Sequence, residues 1–416
     1  MEHENYKNLA LIIEDAVEKS LKTNDFKLDF FYWRAEDEFK RLGYRDKPAD
    51  GVIQKILILR LDAIGDFILT TPAIRAIREN FPTAYISLVV TKEVYPLAEL
   101  CPYVNEIIPF DTPFTSSTEN KDNVQILATA FEFSAQNFLS RHFDACFSFL
   151  SDNTHALMSY LSGAQIRVGL ADGALSLLFT HQISIDHRQV AHCCEKNLHL
   201  LLTAGLQVKS ANLELWYGLE DIRRAKNILK NFAANRVKVA AGIGANIPQR
   251  KYPVEKYLTA FKEIISKGAS IIIFGGPDES AEAEFLEENL PAEFVKNIVK
   301  FKPNWRTTAA LMSMTDIYMG NDTGTQHVAA ALKKPVVLVS RVAKNTENFM
   351  TNMSTEVAMF HPWQTKSIVL RPEHQLGICE ERHEFVGCII YEPHCITQIE
   401  PSEIVDAYEK ILKHCK

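Results

Sequence analysis

Three short segments of the chain carry residue types that could accept a proton or bind an anionic ligand. The first segment is Arg60 to Asp66, at the end of a run of leucine and isoleucine residues. Such a run is typical of a parallel strand that is buried on both faces. Open α/β sheets bind their ligands at the carboxyl ends of such strands. Asp66 could there remove a proton from an attacking hydroxyl group, while Gly65 would permit a tight backbone. The alternative is that Asp66 only caps the following helix.

The second segment, Gly320 to His327, lies between a predicted strand and a predicted helix. A helix start preceded by small residues presents several backbone N–H groups and the positive end of the helix dipole, which suits a diphosphate. Gly324 would let a phosphate approach the backbone closely. The segment lacks a GxxxxGKS or GxxxxGKT pattern, so P-loop ATP hydrolysis is not indicated. The alternative is an ordinary capped helix start, and His327 is more typical of a packed or supporting histidine than of a catalytic one.

The third segment, Gly242 to Pro253, is predicted to be a strand-to-helix turn in the second part of the chain. Lys251 could place a positive charge near a departing diphosphate, and Asn246 could add hydrogen bonds. Glu279 follows another predicted strand end and could accept hydrogen bonds from ribose hydroxyl groups. The alternatives are a solvated basic turn around Lys251 and, for Glu279, an acid that is merely favourable at a helix start.

Two series of alternating strands and helices are predicted to position these segments. Strands are predicted at residues 55–61, 85–91, 104–110, 143–150, 166–170 and 181–186, and again at 237–245, 270–276, 298–301, 315–322 and 335–340. Helices are predicted between the strands and at residues 401–413. Such an alternation predicts an α/β fold with doubly wound sheets.

The length of the chain predicts more than one domain, because a single core rarely extends beyond roughly 250–300 residues and this chain has 416. The alternation restarts near residue 237, so we divide the two domains as residues 51–215 and 216–400. Residues 401–416 are predicted to form a helix that packs back toward the N-terminal half. Residues 1–50 are predicted to be a helical extension that could cover its own domain, form an oligomer contact or lie on a membrane surface. The cover is favoured over the membrane role because the acids of the segment offset its bases.

Composition argues against several classes of protein. The formal charge of −7, from 45 basic and 52 acidic residues, provides no general attraction to nucleic acid. Residues 1–24 have no long uncharged stretch of the kind found in secretory signals and membrane spans, which predicts a cytoplasmic protein. Eight irregularly spaced cysteines then favour reduced thiols. Metal binding by Cys379, Cys388 and Cys395 is left open, because these residues lack a CxxC pair.

The three segments and their order resemble glycosyltransferase family 9, the ADP-heptose:lipopolysaccharide heptosyltransferase family. Residues 55–82 resemble the family's first strand and acceptor-side loop, residues 242–257 match in position, and residues 320–339 resemble its D-T-G-x-x-H donor motif. Three motifs in the family's order are far less expected by chance than one. The resemblance implies a GT-B fold, in which two Rossmann-like halves face a cleft, with residues 51–215 on the acceptor side and 216–400 binding the nucleotide sugar.

The resemblance also implies roles for the matching residues. Asp66 matches the family's general base and Lys251 matches its lysine at the nucleotide, so both are assigned to catalysis. Glu279 matches a ribose contact, and Asp322 lies close to the donor sugar. The residues assigned to donor binding are Asn246, Glu279, Asp322, Thr323, Gly324, Thr325 and His327. In the donor motif the usual leucine and serine are replaced by Thr325 and Gln326, which bears on the identity of the donor.

The resemblance therefore predicts an inverting glycosyltransferase that moves heptose from an ADP-heptose-type donor to a hydroxyl group of a lipopolysaccharide core or another glycan, with no cofactor required for catalysis. The predicted partners are a nucleotide sugar, for which an ADP-sugar is favoured, and a glycan or glycolipid acceptor. The surface of the inner membrane is kept as an alternative location to the cytoplasm. Two other functions stay open: a sugar-nucleotide epimerase of similar fold, and a non-catalytic assembly protein that binds sugar nucleotides. The oligomeric state is not predicted.

Overall fold

The computed structural model of the protein describes residues 52–111 and 123–413, except for 139, 151, 172–175, 187–189, 231, 233–234, 345–355, 378–389 and 391. The predicted N-terminal helical extension, residues 1–50, lies outside the described residues, as do Cys379 and Cys388. The described chain forms two parallel six-stranded sheets with helices between the strands, which confirms the predicted α/β class.

The first sheet is built around the apolar strand that ends at Arg60. Its strands are β1 (Lys55–Arg60), β2 (Tyr85–Thr91), β3 (Glu106–Phe110), β4 (Ala145–Ser148), β5 (Ile166–Leu170) and β6 (His181–Ile183). Their order in the sheet is β3-β2-β1-β4-β5-β6, and neighbouring strands are parallel. Every residue from Ile56 to Arg60 is buried, as expected for a central strand covered on both faces.

The helices of this half are α1 (Ile64–Asn80), α2 (Tyr95–Ala98), α3 (Asn123–Asn137), α4 (Asn153–Leu161) and α5 (Cys193–Thr203). Pro72 lies inside α1 and cannot donate a hydrogen bond to the carbonyl group of Ile68. The hydroxyl group of Thr71 donates to that carbonyl oxygen instead, at 2.7 Å. The helix therefore continues past the proline without an unpaired buried acceptor at Ile68.

The second sheet repeats the arrangement of the first. Its strands are β7 (Val237–Gly242), β8 (Ala269–Phe274), β9 (Val295–Asn297), β10 (Ile317–Asn321), β11 (Val336–Val339) and β12 (Ser367–Leu370), in the order β12-β11-β10-β7-β8-β9. Read from β9 and numbered from its own first strand, this order is 3-2-1-4-5-6, as in the first sheet. In each sheet the strand order reverses between the first strand and the fourth, which opens a crevice at their carboxyl ends.

The helices of the second half are α6 (Leu219–Ile228), α7 (Val254–Ser266), α8 (Ser280–Asn289), α9 (Trp305–Ser313), α10 (Gly324–Ala331), α11 (Glu356–Phe360) and α12 (Pro401–Lys413). Strand β12 was not indicated by the sequence pattern, because its residues are only partly buried and its apolar run is short.

The strand predicted at residues 298–301 is wrong. Strand β9 lies just before it and pairs with β8, whereas Val299–Phe301 form a single 3₁₀ turn. The side-chain oxygen of Asn297 accepts a hydrogen bond from the N–H of Val299 at 3.0 Å, and Lys302 adopts a left-handed backbone with φ of 43°. The chain therefore turns where a short apolar run resembled an extended strand.

The last helix, α12, has the predicted bounds but not the predicted packing. Its apolar side, which includes Ile404 and Tyr408, lies in the core of the second half with Tyr257 of α7. Lys267 and Glu409 add an ion pair between the two helices, with Nζ and Oε1 2.6 Å apart. Because this apolar face fills a groove beside β11 and β12, the helix belongs to the second half, and the expected packing toward the N-terminal half is wrong.

The two halves contact each other through the helices that follow their central strands. Helices α1 and α10 pack together, and residues of both belong to one continuous hydrophobic core. The Nε1 of Trp363 donates to the carbonyl oxygen of Ala211 at 2.8 Å, and Arg306 of α9 forms an ion pair with Glu99 of the first half. The carboxyl ends of β1 and β10 therefore open on the same space between the halves.

Candidate active site

A cavity of about 560 Å³ lies between the halves, at the carboxyl ends of their strands. The first half contributes the loop after β1 and Glu93 after β2, and the second half contributes the segments after β7, β8 and β10. The predicted site residues that line it are Gly65, Asn246, Lys251, Glu279, Thr323, Gly324 and Thr325. Asp322 and His327 are buried behind this lining, whereas Asp66 lies beside it in the first turn of α1, with its side chain partly exposed.

The start of α10 forms one wall of the cavity. Thr323 has an extended backbone and makes no side-chain cap. Its Oγ1 lies 2.8 Å from the Oγ1 of Thr325, which in turn lies 2.9 Å from the hydroxyl oxygen of Tyr318. Thr323 therefore does not form the capped start that was the alternative interpretation. Such a helix start attracts anions.

Asn321 holds the loops of the second half together, a role that was not predicted. Its side chain is fully buried at the end of β10. The Nδ2 donates to the carbonyl oxygen of Ile243 at 2.7 Å, and the Oδ1 accepts from the N–H of Tyr252 at 3.2 Å and from the hydroxyl group of Tyr257 at 2.8 Å. These bonds fix both ends of the loop that carries Lys251. An amide residue at a buried strand end is a signal for such a role, since buried polar groups are paired.

Lys251 and Glu279 meet at the wall of the cavity, so two residues predicted from separate segments are brought together. The Nζ of Lys251 lies 2.7 Å from Oε1 of Glu279, whose Oε2 accepts from the N–H of Gly276 at 2.9 Å. A Cβ on Gly244 would lie 2.7 Å from that Oε2, so the backbone passes close to the carboxylate. A lysine ammonium group has three donors, and one carboxylate oxygen leaves some of them for an anion.

The starts of α1 and α10 touch each other beside the cavity. A Cβ on Gly65 would lie 2.6 Å from Cδ2 of His327, closer than such atoms approach. A Cβ on Gly324 would lie 3.4 Å from Cβ of Ile64, an ordinary contact. His327 is thus packed against Gly65, and burial lowers its pKa to about 3. Its neutral ring joins the two halves and does not line the cavity.

Asp322 is buried within the same helix start. Its Oδ1 accepts a hydrogen bond from Nε2 of Gln326 at 2.7 Å, and the same Nε2 lies 2.9 Å from the carbonyl oxygen of Phe360. Gln326 is one of the two departures from the donor motif. Its longer side chain therefore ties Asp322 and the end of α11 to the helix that forms the cavity wall.

Asp66 lies in the first turn of α1, and its side chain is 25% exposed. Its Oδ1 is 3.4 Å from Nη2 of Arg60, while Oδ1 of Asp62 is 2.8 Å from Nε of the same arginine. Arg60 is buried, and its Nη1 donates to the carbonyl oxygen of Phe149 at 2.8 Å. The N-cap of α1 is Ala63, with no side-chain cap, so the interpretation of Asp66 as the cap is not supported.

Burial raises the pKa of both carboxyl groups, and the positive charge of Arg60 opposes the rise. The pKa of Asp62 is raised to about 7. Arg250, which comes from the second half, also lowers the pKa of Asp66. A carboxylate whose pKa is raised by burial is better suited to accept a proton near neutral pH than an ordinary aspartate.

A buried histidine fixes the loop between β1 and α1. The Nε2 of His155 accepts from the N–H of Leu61 at 3.1 Å. The proton of the ring must then be on Nδ1, which lies 2.8 Å from Oδ2 of Asp152. This pair was not predicted, although the spacing of Asp152 and His155, three residues apart at a helix start, was a signal for it.

Glu93 and Trp305 line the cavity from opposite halves and were also not predicted. Burial raises the pKa of Glu93, and a hydrogen bond with Trp305 opposes the rise. The position of Glu93 just after β2 was a signal, since ligands bind at strand ends. Its pairing with Trp305 depends on how the two halves pack together, and the spacing of residues along the sequence gives no information on that packing.

Within the described part of the chain, no group of three or more His, Cys, Asp or Glu side chains is placed to hold a metal ion. Cys395 is buried, and its Sγ accepts from the N–H of Leu376 at 3.4 Å. Cys379 and Cys388, the other two cysteines considered as metal ligands, lie outside the described residues. No helix among the described residues is both long enough and apolar enough to cross a membrane.

The family model for glycosyltransferase family 9 (heptosyltransferase) matches residues 134–376. Lipopolysaccharide heptosyltransferase 2 of Escherichia coli K12 is 21% identical over 293 residues, 68% of this chain and 81% of that protein. The solved glycosyltransferase family 9 protein of Veillonella parvula matches with a TM-score of 0.67 and 19% identity, over 87% of this chain and 98% of that one. The E. coli heptosyltransferase WaaC with ADP matches with a TM-score of 0.60 and 17% identity, over 86% and 99%. These likenesses confirm the predicted GT-B type of fold.

Proposed function

Because the chain belongs to glycosyltransferase family 9, we propose that it transfers heptose from ADP-heptose to a hydroxyl group of a lipopolysaccharide-core sugar, with inversion at the anomeric carbon. The family match supports the class of reaction. The similarity to a lipopolysaccharide heptosyltransferase supports the sugar and the acceptor, and the likeness to WaaC with ADP supports the nucleotide.

The observation that carries this proposal is the contact between two helix starts. The uncapped start of α10 lies against the start of α1, whose first turn contains Asp66. A diphosphate bound to the N–H groups of Gly324 and Thr325 would direct its sugar toward the loop of the first half. The donor sugar and the base would then lie on opposite sides of the attacking oxygen.

In the proposed reaction, Asp66 removes the proton of the acceptor hydroxyl group while the oxygen attacks the anomeric carbon. The new glycosidic bond forms as the bond to ADP breaks, through an oxocarbenium-like transition state, and this single displacement inverts the centre. ADP leaves with the electron pair. Lys251 and the first-turn N–H groups of α10 stabilise the charge that grows on the diphosphate. Asp66 then releases its proton to water.

Lys251 and Glu279 have complementary parts in donor binding. When the donor binds, the ammonium group of Lys251 leaves Oε1 of Glu279 and contacts the diphosphate. That Oε1 then accepts hydrogen bonds from ribose hydroxyl groups, while Oε2 keeps its hydrogen bond from the N–H of Gly276. Residues 51–215 thus form the acceptor side, and residues 216–400 form the donor side. We place the enzyme in the cytoplasm, where it meets its lipid-linked acceptor at the inner membrane.

The test follows transfer of labelled heptose from ADP-heptose to a lipopolysaccharide core that lacks heptose, beside calorimetric binding of the donor. Asp66→Asn should lower the transfer rate by roughly 10²-fold or more and change donor affinity little, because the loss is of transition-state stabilisation. The matched control is Asp111→Asn, an exposed carboxylate paired with Lys92, which should change neither. If Asp66→Asn transfers heptose at the wild-type rate, Asp66 is not the general base. If the wild-type protein converts the donor when no acceptor is present, an epimerase is favoured instead.

A further inference from the structure

One guanidinium group faces two carboxyl groups behind the start of α1. The Nε of Arg60 lies 2.8 Å from Oδ1 of Asp62, whereas its Nη2 lies 3.4 Å from Oδ1 of Asp66. The Nη1 is taken by the carbonyl oxygen of Phe149 at 2.8 Å. Arg60 is only 3% exposed, so a single positive charge is shared by two acids where water screens it little.

We propose that Asp62 is a positioning residue that keeps Asp66 basic. By occupying the Nε edge of Arg60, Asp62 leaves Asp66 with one long contact to the guanidinium group and with a carboxylate ready to accept a proton. This inference rests on the proposed function, in which Asp66 is the general base. With Asp62 uncharged, the whole charge of Arg60 would act on Asp66 and make it a weaker base.

The position of Asp62 is set by contacts that do not involve Arg60. The preceding N–H, of Leu61, donates to Nε2 of His155, and the hydroxyl group of Thr91 donates to the carbonyl oxygen of Asp62 at 3.4 Å. His155 is fully buried and held in turn by Asp152. The fold therefore places a second acid beside Arg60 whether or not Asp66 is charged.

The surrounding charges decide the direction of the effect. The charged and titratable groups that face this pair are Arg60 on β1, Arg250 in the turn after β7, Cys193 at the start of α5, and Asp152 and His155 at the start of α4. Repulsion between Asp62 and Asp66 favours protonation of the pair, and Arg60 opposes it. When both acids are ionised, the charge of Asp62 repels that of Asp66 and offsets Arg60. Without Asp62 both effects are lost, so the ionised Asp66 is a weaker base.

The test is a carbon-13 NMR titration of the full chain, labelled at the aspartate carboxyl carbons, with the Asp66 signal assigned by its loss in Asp66→Asn. In the wild type the Asp66 signal should shift in two steps, because the two carboxyl groups titrate as a pair, whereas in Asp62→Asn it should shift in one step that is complete about one pH unit lower. Asp62→Glu should keep the wild-type pKa. The matched control is Asp144→Asn, at the other end of β1, where the carboxylate accepts from the N–H groups of Gln54 and Lys55 at 2.8 Å. An Asp66 pKa that is the same in Asp62→Asn and wild type would overturn the proposal.

The pH dependence of heptose transfer gives a second measurement. The wild-type rate should rise with pH as Asp66 loses its proton, and in Asp62→Asn the rise should move about one unit lower and reach a lower plateau, because a weaker base accepts the proton less readily. An unshifted rise would contradict the proposal.

If neither protein transfers heptose, the proposed function fails while the NMR titration still decides the inference. If Asp62→Asn does not fold, the wild-type titration decides: the Asp66 signal should shift in two steps, one with the ionisation of Asp62, and a single step would overturn the proposal.

Discussion

The fourth strand of each sheet leads into a helix at the same place in the fold, yet the two helix starts differ. After β4, the side chain of Asp152 caps α4 by accepting from the N–H of His155 at 2.8 Å. After β10, Thr323 makes no side-chain cap on α10. The shared strand order provides both halves with an equivalent helix start. The two starts differ in the residue at the cap, and we propose that the start of α10, where Thr323 makes no cap, is the one that binds an anion.

The loops after the first strands differ in charge as well. Three residues separate β1 from α1, and this short connection places two acids, Asp62 and Asp66, around Arg60. The longer loop between β7 and α7 instead carries Lys251 to the cavity. The proposed proton acceptor on one half and the proposed anion site on the other are what a displacement with an anionic leaving group requires.

The largest expected effect comes from giving α10 the kind of cap that α4 has. In Thr323→Asp, the carboxylate would accept from first-turn N–H groups and place a negative charge where we propose that the diphosphate binds. ADP should bind about 100-fold more weakly, about 2.7 kcal/mol, by calorimetry. The thermal stability should be equal or higher, because aspartate is a favourable N-cap.

The matched control for this change is Thr323→Ser, which keeps the hydroxyl group beside Thr325 and should bind ADP within about twofold of wild type. Unchanged ADP affinity in Thr323→Asp would show that the start of α10 is not the diphosphate site. It would also end the comparison between the two helix starts, because a cap would then have no bearing on ligand binding.

Strand and helix positions were largely predictable because their cause is local. The strand at residues 85–91 and the helix at residues 401–413 have the predicted bounds, since buried apolar runs and helical spacing are visible in the sequence. The strand predicted at residues 298–301 fails because a side-chain bond from Asn297 and a left-handed Lys302 turn the chain. Neither feature alters the apolar pattern.

The cavity residues were predictable to the extent that they follow strand ends. Lys251, Glu279 and Gly324 line the cavity together for that reason. The contact of Trp305 with Glu93, and the packing of α12 on the second half, depend on which surfaces meet in the folded chain. Motif spacing carries no information on those surfaces.

A third helix start sharpens the comparison because its cap can ionise. At α5, Nδ1 of His192 accepts from the N–H of Cys194 at 3.1 Å, and Nε2 lies 3.0 Å from the carbonyl oxygen of His361 in the second half. Burial lowers the pKa of His192 from 6.5 to about 4. The folded state needs the neutral ring, so the stability from His192 is complete above pH 6.5 and is lost as the pH falls toward 4. As the pH falls from 7 to 5, the protonation of His192 should lower the free energy of unfolding by about 2 kcal/mol.

Urea denaturation at the two pH values measures this loss. His192→Gln has no ring to protonate, so its free energy of unfolding should fall by about 2 kcal/mol less than that of wild type over the same range. The buried His327, with a pKa of about 3, keeps part of the pH dependence in both proteins. Equal losses in His192→Gln and wild type would mean that this cap does not titrate with unfolding.

The smallest expected effects separate the two glycines where α1 and α10 meet. In Gly65→Ala the new methyl group would lie 2.6 Å from Cδ2 of the buried His327 ring, so the ring or the backbone must shift. The variant should lose about 1–2 kcal/mol of the free energy of unfolding, since overpacking of a core outweighs the helix preference of alanine.

In Gly324→Ala the methyl group would meet Ile64 at 3.4 Å, an ordinary contact, so stability should change by less than about 0.5 kcal/mol. The same methyl group enters the cavity, so ADP affinity should fall by up to about tenfold in Gly324→Ala. Urea denaturation and calorimetry of both variants measure the two effects separately. A larger loss of stability in Gly324→Ala than in Gly65→Ala would reverse the assignment, making the start of α10 the tightly packed contact and the start of α1 the open one.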